Sequence, residues 1–281
     1  MTKDIFSPVM IVGSPRSGTT WLQRILLQHE SVCGGQESNF FLIFIHALSS
    51  VKKNHDNRGV GLSYYLSPAQ IDTLIRHCWE YTFSEIYEHN DGKILLEKSP
   101  CHAMFLDDIA EVLPNAKFIH IIRDSRAVTA SLIAANRSWG IGWAPSSVKQ
   151  AAIMWFRHVS KAKRSETAKD NSKYIEVYYE DLVSSTSIQL QRIFDFIGLD
   201  YNDELIEFMI NENTFENNSK NKNLFISKDN NIIKEPDGFY RQGTIDGWKK
   251  DLGFFQKLIV WRYTRKLMKA LGYDFKGARR L

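Results

Sequence analysis

The sequence predicts a single α/β domain over residues 1–281, with a central parallel sheet flanked by helices in a P-loop-like nucleotide-binding topology. Three observations carry this. Short apolar runs alternate with helical patterns along most of the chain, the order that builds a parallel sheet covered on both faces. The first run, Val9-Met10-Ile11-Val12, ends in Gly13 and passes through a hydroxyl-rich loop into a helical pattern at Thr19. Polar and charged residues follow the ends of the later runs, where open parallel sheets place their ligands.

Length and composition permit such a fold and narrow its use. A chain of 281 residues with 43% apolar content buries a sizeable core. The formal net charge of +4 is too small for a nucleic-acid coat, and no nucleic-acid partner is expected. Cys33, Cys78 and Cys101 lack ligand spacing, which fits a reducing compartment and implies no metal. Residues Met1 to Pro8 carry Lys3 and Asp4 and no apolar core, and Phe40–Ile45 is too short to span a bilayer. The expectation is a cytoplasmic protein without a transmembrane segment. The basic tail at Lys276, Arg279 and Arg280 reads as a frayed end or as a peripheral membrane contact.

The elements follow in order. Trp21, Leu22, Ile25 and Leu26 give the first helix one buried face. Glu30 to Gln36 reads as a loop broken by Gly34-Gly35, and Glu37 opens an apolar segment, Phe40–Leu48. Gly59-Val60-Gly61 marks another break. Ser67, Pro68 and Gln70 form a capping signature for a helix to about His89. Ile94–Glu97 is a second strand that delivers Lys98, Ser99 and Pro100; Phe105–Leu113 is helical, stopping before Pro114. Lys117–Ile122 is a third strand closed by Arg123-Asp124, with a helix over Arg126–Ala135. Helices at about 147–169 and 187–197 flank a strand at Tyr174–Tyr178, the second helix ending at Gly198. The Asn- and Lys-rich stretch at about 211–235 is expected as a mobile loop, and 251–271 as a C-terminal helix.

The loop after the first strand, Ser14-Pro15-Arg16-Ser17-Gly18-Thr19-Thr20, is the sharpest motif. Gly18 lets the backbone approach a ligand, and the unpaired N–H groups of the new helix favour an anion. The spacing satisfies G-x-x-x-x-G-x-[ST], with Thr19 where an ATP-binding P-loop carries lysine. That lysine reaches the β- and γ-phosphates, so its absence argues against a P-loop kinase.

Four segments together resemble the sulfotransferases that use 3′-phosphoadenosine 5′-phosphosulfate (PAPS) and release 3′-phosphoadenosine 5′-phosphate (PAP). Arg16, Ser17, Gly18, Thr19, Thr20 and Trp21 lie in the counterpart of the 5′-phosphosulfate loop. Arg123 and Ser131 are similar to the family's 3′-phosphate pair, and Tyr179 to its tyrosine near adenine. Arg241, Gln242 and Gly243 open a stretch like its R-x-G-x-x-x-G-x-W motif, which closes over the nucleotide. The pattern leans to the bacterial and tyrosylprotein branches, which carry arginine at the position of Arg16.

The resemblance implies a metal-independent O-sulfotransferase. Arg16 and Lys98 would supply cations at the leaving phosphate, and a base would take the acceptor proton. Small-molecule branches place a histidine base in K-T-H, but here the triplet is Lys98-Ser99-Pro100, and proline accepts no proton. Glu37, twenty-one residues after Arg16, matches the glutamate of the tyrosylprotein branch; His102 is the other candidate. The acceptor is expected to be a hydroxyl of a carbohydrate or glycolipid, with Trp139 and Trp143 available to stack on sugar rings. A small hydroxylated metabolite or polyketide is the next reading. A P-loop-type kinase or a non-catalytic nucleotide-binding module are readings of other classes. A homodimer is compatible with the sequence.

Overall fold

A computed structural model of the chain describes residues 7–44, 64–90, 92–220, 223–226, 232–240, 243–277 and 279. Its centre is a five-stranded sheet in the order β2-β3-β1-β4-β5, with every pairing parallel. The strands are β1 Val9–Gly13, β2 Val32–Gly34, β3 Ile94–Lys98, β4 Lys117–Ile122 and β5 Tyr174–Tyr178. All five residues of β1 are buried, as the central position demands.

The period of two splits β1 between two cores. Met10 and Val12 face an aromatic cluster that includes Phe40, Phe41, Trp79 and Phe118. Val9 and Ile11 face Leu22, Ile25 and Leu26 of the first helix, α1 (Thr19–Leu26), on the other side. Because every strand runs the same way, Gly13, Lys98, Arg123 and Tyr179 all emerge at one edge of the sheet.

Several boundaries match their chemistry. The helix Pro68–Glu88 begins with the full capping box between Ser67 and Gln70, and Gly198 ends the helix Thr186–Ile197 in the left-handed conformation. Other stretches differ from expectation. The Glu30–Gln36 loop contains the edge strand β2, where a Cβ on Gly34 would lie 2.4 Å from the Leu96 carbonyl oxygen, so only glycine fits the ladder there. The helix expected to reach residue 169 ends at Arg164, where Ser165 turns extended, and a short 3-10 helix, Thr167–Lys169, follows. The C-terminal helix spans Phe254–Ala270, close to the expected range, and a separate helical turn at Trp248–Asp251 precedes it. Within 211–235, expected as loop, lie a helix, Phe215–Lys220, and an antiparallel pair, β6 Asn223–Ile226 with β7 Ile232–Lys234. The breaks at Gly59-Val60-Gly61 and the end of the Phe40–Leu48 segment lie outside the described residues. No helix among the described residues is long and apolar enough to cross a membrane.

A buried polar network fixes the ends of β4 and β5. Asp124 caps the helix Ser125–Asn136 by accepting from the Arg126 N–H at 2.8 Å. It also accepts from Arg126 Nη2 at 2.5 Å and Nε at 2.9 Å. The Arg126 guanidinium, fully buried, donates onward to the carbonyls of Asp274 and Phe275 and stacks on Trp248 at 4.1 Å. Glu180 accepts from the Asp124 N–H at 3.0 Å and from the Tyr273 hydroxyl at 2.7 Å. The C-terminal tail is thereby tied to the strand ends. Arg279 adds to this, pairing with Asp181 and lying over the Tyr178 ring, so the tail is not frayed there and Arg279 is not available to a membrane.

Removing one partner of a buried pair strands the other charge. Asp124→Ala is expected to cost about 3–5 kcal/mol in a urea unfolding titration. The single change Arg279→Ala, on a partly solvated pair, is expected to cost about 1 kcal/mol or less.

Candidate functional site

The strand ends open into a cavity of about 940 Å³. Its floor is the loop between β1 and α1. A Cβ on Gly13 would sit 2.5 Å from the Ile121 carbonyl oxygen, and one on Gly18 would sit 2.5 Å from the Tyr179 ring. Gly18 has φ +100° and caps α1 without a side chain, leaving the first N–H groups of the helix to a ligand. Thr19 and Thr20 line the cavity just inside that end.

Lys98, the last residue of β3, enters beside the loop. It is 5% exposed, and its Nζ donates to Thr20 Oγ1 at 3.2 Å and to the Glu37 carboxylate. Glu37 is positioned by the residues after it. Ser38 Oγ donates to Glu97 Oε1 at 2.7 Å, the Asn39 N–H donates to Ser99 Oγ at 2.9 Å, and Phe40 and Phe41 are sunk into the aromatic core. The carboxylate itself stays partly open, with its side chain 40% exposed. The structure therefore brings Glu37 and Lys98 together.

It does not bring His102 to them. The ring is fully buried and lies outside the cavity lining, with Nε2 committed to a backbone N–H. Nε2 accepts the Phe41 N–H at 3.2 Å, which leaves the proton on Nδ1, 3.1 Å from Glu97 Oε2. Burial raises the Glu97 carboxyl, but the facing His102 ring and the Ser99 and Ser38 hydroxyls outweigh it and leave the group below its ordinary value. His102 and Glu97 support the Glu37 loop; a base role for His102 is corrected here. Cys101, in the cavity wall, has its thiol pushed up to about 12 by burial and the neighbouring Glu97 and Glu37 carboxylates.

The arginines occupy the other end. Arg123, at the end of β4, is not paired with Asp124, whose carboxylate belongs to Arg126. Its guanidinium stacks 3.9 Å over Tyr179 and donates to the carbonyls of Arg16 at 3.3 Å and Thr244 at 3.2 Å. Arg16 adopts φ +73°, an uncommon conformation for a side-chain-bearing residue. Its guanidinium lies between Trp139 at 5.0 Å and Phe239 at 4.4 Å, with Nε donating to Ser131 Oγ at 3.1 Å and Nη2 to the Phe239 carbonyl at 2.5 Å. Ser131, expected beside Arg123 at the 3′-phosphate, accepts from Arg16 here, and both Ser131 and Arg123 line the cavity. Trp21 donates to the Asn213 carbonyl at 2.9 Å and meets the edge of Tyr179. Gly243 packs against Phe215; Arg241 and Gln242 lie outside the described residues.

Four buried polar atoms around this space find no hydrogen-bond partner among the described residues: Ser17 Oγ, Arg123 Nε, Trp139 Nε1 and the Tyr240 hydroxyl. All four can donate, as a polyanionic ligand requires.

Sequence reasoning missed two contributors. Phe215, with Thr214, lines the cavity from the stretch read as loop, and the alternation of polar residues there hid a single aromatic. Glu235 is the other. It is 8% exposed, lines the cavity, and is pushed up to about 7 by burial, which outweighs the lowering by Lys98, Arg24 and Arg16; the Glu37 charge adds to the rise. No motif signals it. Only its arrival from a distant segment makes it part of the site.

A parallel α/β sheet with a phosphate loop at its central strand and cations at the neighbouring strand ends defines the P-loop-like nucleotide-binding class. Comparison with known proteins narrows it: a sequence model described as the sulfotransferase family matches residues 8–203, and the chain belongs to that family. It is 27% identical over 199 residues to a putative protein-tyrosine sulfotransferase of Caenorhabditis briggsae, covering 70% of this chain and 68% of that protein. It is 24% identical over 247 residues to the omega-hydroxy-beta-dihydromenaquinone-9 sulfotransferase Stf3 of Mycobacterium bovis, covering 68% and 63%. The chain thus spans about two thirds of the length of these curated relatives. The fold is similar to that of mouse sulfotransferase SULT7A1, solved with PAP, with a TM-score of 0.62, 15% identity, and 94% and 84% of the two chains covered.

The Glu235 carboxyl gives a pH test. The folded chain keeps a proton on it up to about 7, whereas the unfolded chain loses it near 4.5. Folding therefore retains a proton that the unfolded state releases, and stability falls as pH rises between those values. Glu235→Gln is expected to gain on the order of 2 kcal/mol relative to the parent between pH 5 and pH 8, read by urea titrations at both.

Proposed function

We propose that the chain is a PAPS-dependent O-sulfotransferase in which Glu37 is the base and Lys98 the cation at the leaving phosphate. The observation that carries this is the contact of buried Lys98 with both Thr20 of the phosphate loop and the partly open Glu37 carboxylate. A base and a cation stand together at the helix N-terminus, where an in-line displacement needs them.

The residues fit the nucleotide. Ser17, Gly18, Thr19 and Thr20, with the open N–H groups of α1, would hold the 5′-phosphosulfate. Arg123, whose Nε has no described partner, would hold the 3′-phosphate, and Trp21, Tyr179 and Phe215 offer aromatic surface to the base. The two arginines now donate to carbonyl oxygens, which a phosphate outcompetes as acceptor.

Bound PAPS supplies an activated sulfuryl group on a phosphate leaving group. Glu37 accepts the acceptor hydroxyl proton as the new S–O bond forms. Lys98 turns from Glu37 toward the phosphate oxygen released as the old S–O bond breaks, and Thr20 keeps it in place through that change. Arg16 is permanently charged and offers electrostatic stabilisation only.

For the acceptor we favour a hydroxyl of a carbohydrate or glycolipid, because Trp143, 43% exposed, and Trp139 stand at the cavity wall. A second reading is a lipid-like alcohol, of the kind named for the mycobacterial relative. Leu42, 40% exposed in the cavity wall five residues after Glu37, favours it. Transfer of label from PAPS to a panel of glycans, glycolipids and isoprenoid alcohols separates the two.

Two outcomes are expected on the donor side and the chemistry. Calorimetric titration without metal should show PAP binding well above adenosine 5′-phosphate and ATP, with Arg123→Ala weakening PAP by about 100-fold and leaving adenosine 5′-phosphate little changed. ATP binding as tightly as PAP would sink the proposal. Glu37→Gln should lower kcat by about 100- to 10,000-fold while PAP affinity stays within a few-fold of the parent.

A further inference from the structure

The helix Phe254–Ala270 leaves an unusual face uncovered. Val260, Thr264 and Met268 point into the protein, and Thr264 hydrogen-bonds Ser125 at 3.0 Å. The opposite half of the helix carries Phe254, Phe255, Leu258, Ile259 and Tyr263, 64%, 77%, 39%, 38% and 38% exposed. Interleaved on the same half are Arg262, Arg265, Lys266 and Lys269, all exposed. The helix contains no acidic residue. Its neutral hydrogen-bonding side chains outside the buried face are the Tyr263 hydroxyl and the half-exposed Gln256 amide, whose oxygen already accepts the Gly253 N–H.

We infer that this face docks on an anionic lipid surface, with the two phenylalanines entering the acyl boundary and the basic turns lying among headgroups. Five large apolar side chains in solvent over a helix about 25 Å long need a cover. The arrangement along the axis suits a bilayer: apolar side chains crowd the first two turns, and the cations crowd the last two. Each basic residue near an anionic surface adds attraction, and aromatic and aliphatic side chains add burial. Lys149 of the helix Val148–Arg164 extends the positive surface, lying 5.5 Å from the Tyr263 ring.

The composition also argues against the other covers. A second copy meeting this face about a two-fold axis would bring four cations against four cations with no carboxylate between them. A protein cover would have to bring carboxylates for all four cations at once, whereas an anionic lipid surface supplies negative charge along the whole helix. The nearest acidic residues before the helix are Asp246 and Asp251; Asp246 is already paired with Lys249. The inference is independent of the nucleotide reading, since the face lies outside the cavity lining.

Flotation of the full chain with vesicles tests it, using phosphatidylcholine alone and phosphatidylcholine with phosphatidylglycerol in equal parts. The parent is expected to float with the anionic vesicles and to remain below with the neutral ones, and added salt should release it. F254S/F255S and R262Q/R265Q/K266Q alter exposed positions only, and each should cut the bound fraction about tenfold or more while the unfolding midpoint in urea stays unchanged. Equal flotation on both vesicle types, or variants that float like the parent, would overturn the inference. So would a parent that sediments as a dimer split by F254S/F255S, or one captured by polyglutamate beads, with no vesicle binding in either case. PAP titration of the same variants should match the parent whatever the vesicles show.

Discussion

A cation at the end of a buried strand governs the rest of this structure. Lys98 has left water almost completely, and a desolvated ammonium requires hydrogen-bonding oxygen close by. Thr20 answers from the phosphate loop and Glu37 from the crossing segment. Each of those residues is then held by structure of its own: Thr20 by the first turn of α1, and Glu37 by Ser38, Asn39 and the Phe40–Phe41 anchor. Behind them the Glu97 carboxylate gathers Ser38, Ser99 and the His102 ring. The pieces of the site are thereby set by satisfying two buried charges, side by side in β3, that point to opposite faces of the sheet.

That alternation explains why Glu97 and Lys98 have different fates. Successive strand residues face opposite sides, so one member of the pair enters the cavity and the other the packed layer. Lys98 meets the ligand space with a partner that can be exchanged. Glu97 meets hydroxyls and an imidazole that cannot leave, and becomes scaffold. The hydrogen bonds from Ser38 and Ser99 to Glu97, and from the Phe41 N–H to His102, tie the Glu37 loop to the end of β3.

Much of this was legible from sequence because it rests on local patterns. The run Val9–Gly13, the hydroxyl loop and the periodicity of α1 are contiguous, and they foretold the strand, glycine-led loop and helix at the centre of the sheet. Lys98 and Arg123 could be placed at strand ends because the strands are short apolar runs with clear limits. What failed depends on distance in the chain. His102 looked available from its place near Lys98, yet its ring is claimed by Phe41 and Glu97. Ser131 was set with Arg123 by resemblance, and no spacing announced that the left-handed turn at Arg16 would bring a second guanidinium to it. Glu235 had no signature, since what makes it notable is the company of Lys98, Arg24 and Arg16 from three other segments.

The arginines show how the cavity and its cover are joined. Arg16 and Arg123 are held by carbonyl oxygens of Phe239 and Thr244, residues more than a hundred positions away. Those bonds orient the guanidinium groups, and the flanking rings of Trp139, Phe239 and Tyr179 pack over their faces. These guanidinium groups lie beside orphaned donors at Ser17 and Arg123, where an anion gains most from the low dielectric. The Glu235 carboxyl belongs to the same field. Burial pushes it up to about 7, so near neutral pH it sets less negative charge beside Lys98 and Arg16 than a solvent-exposed carboxylate would.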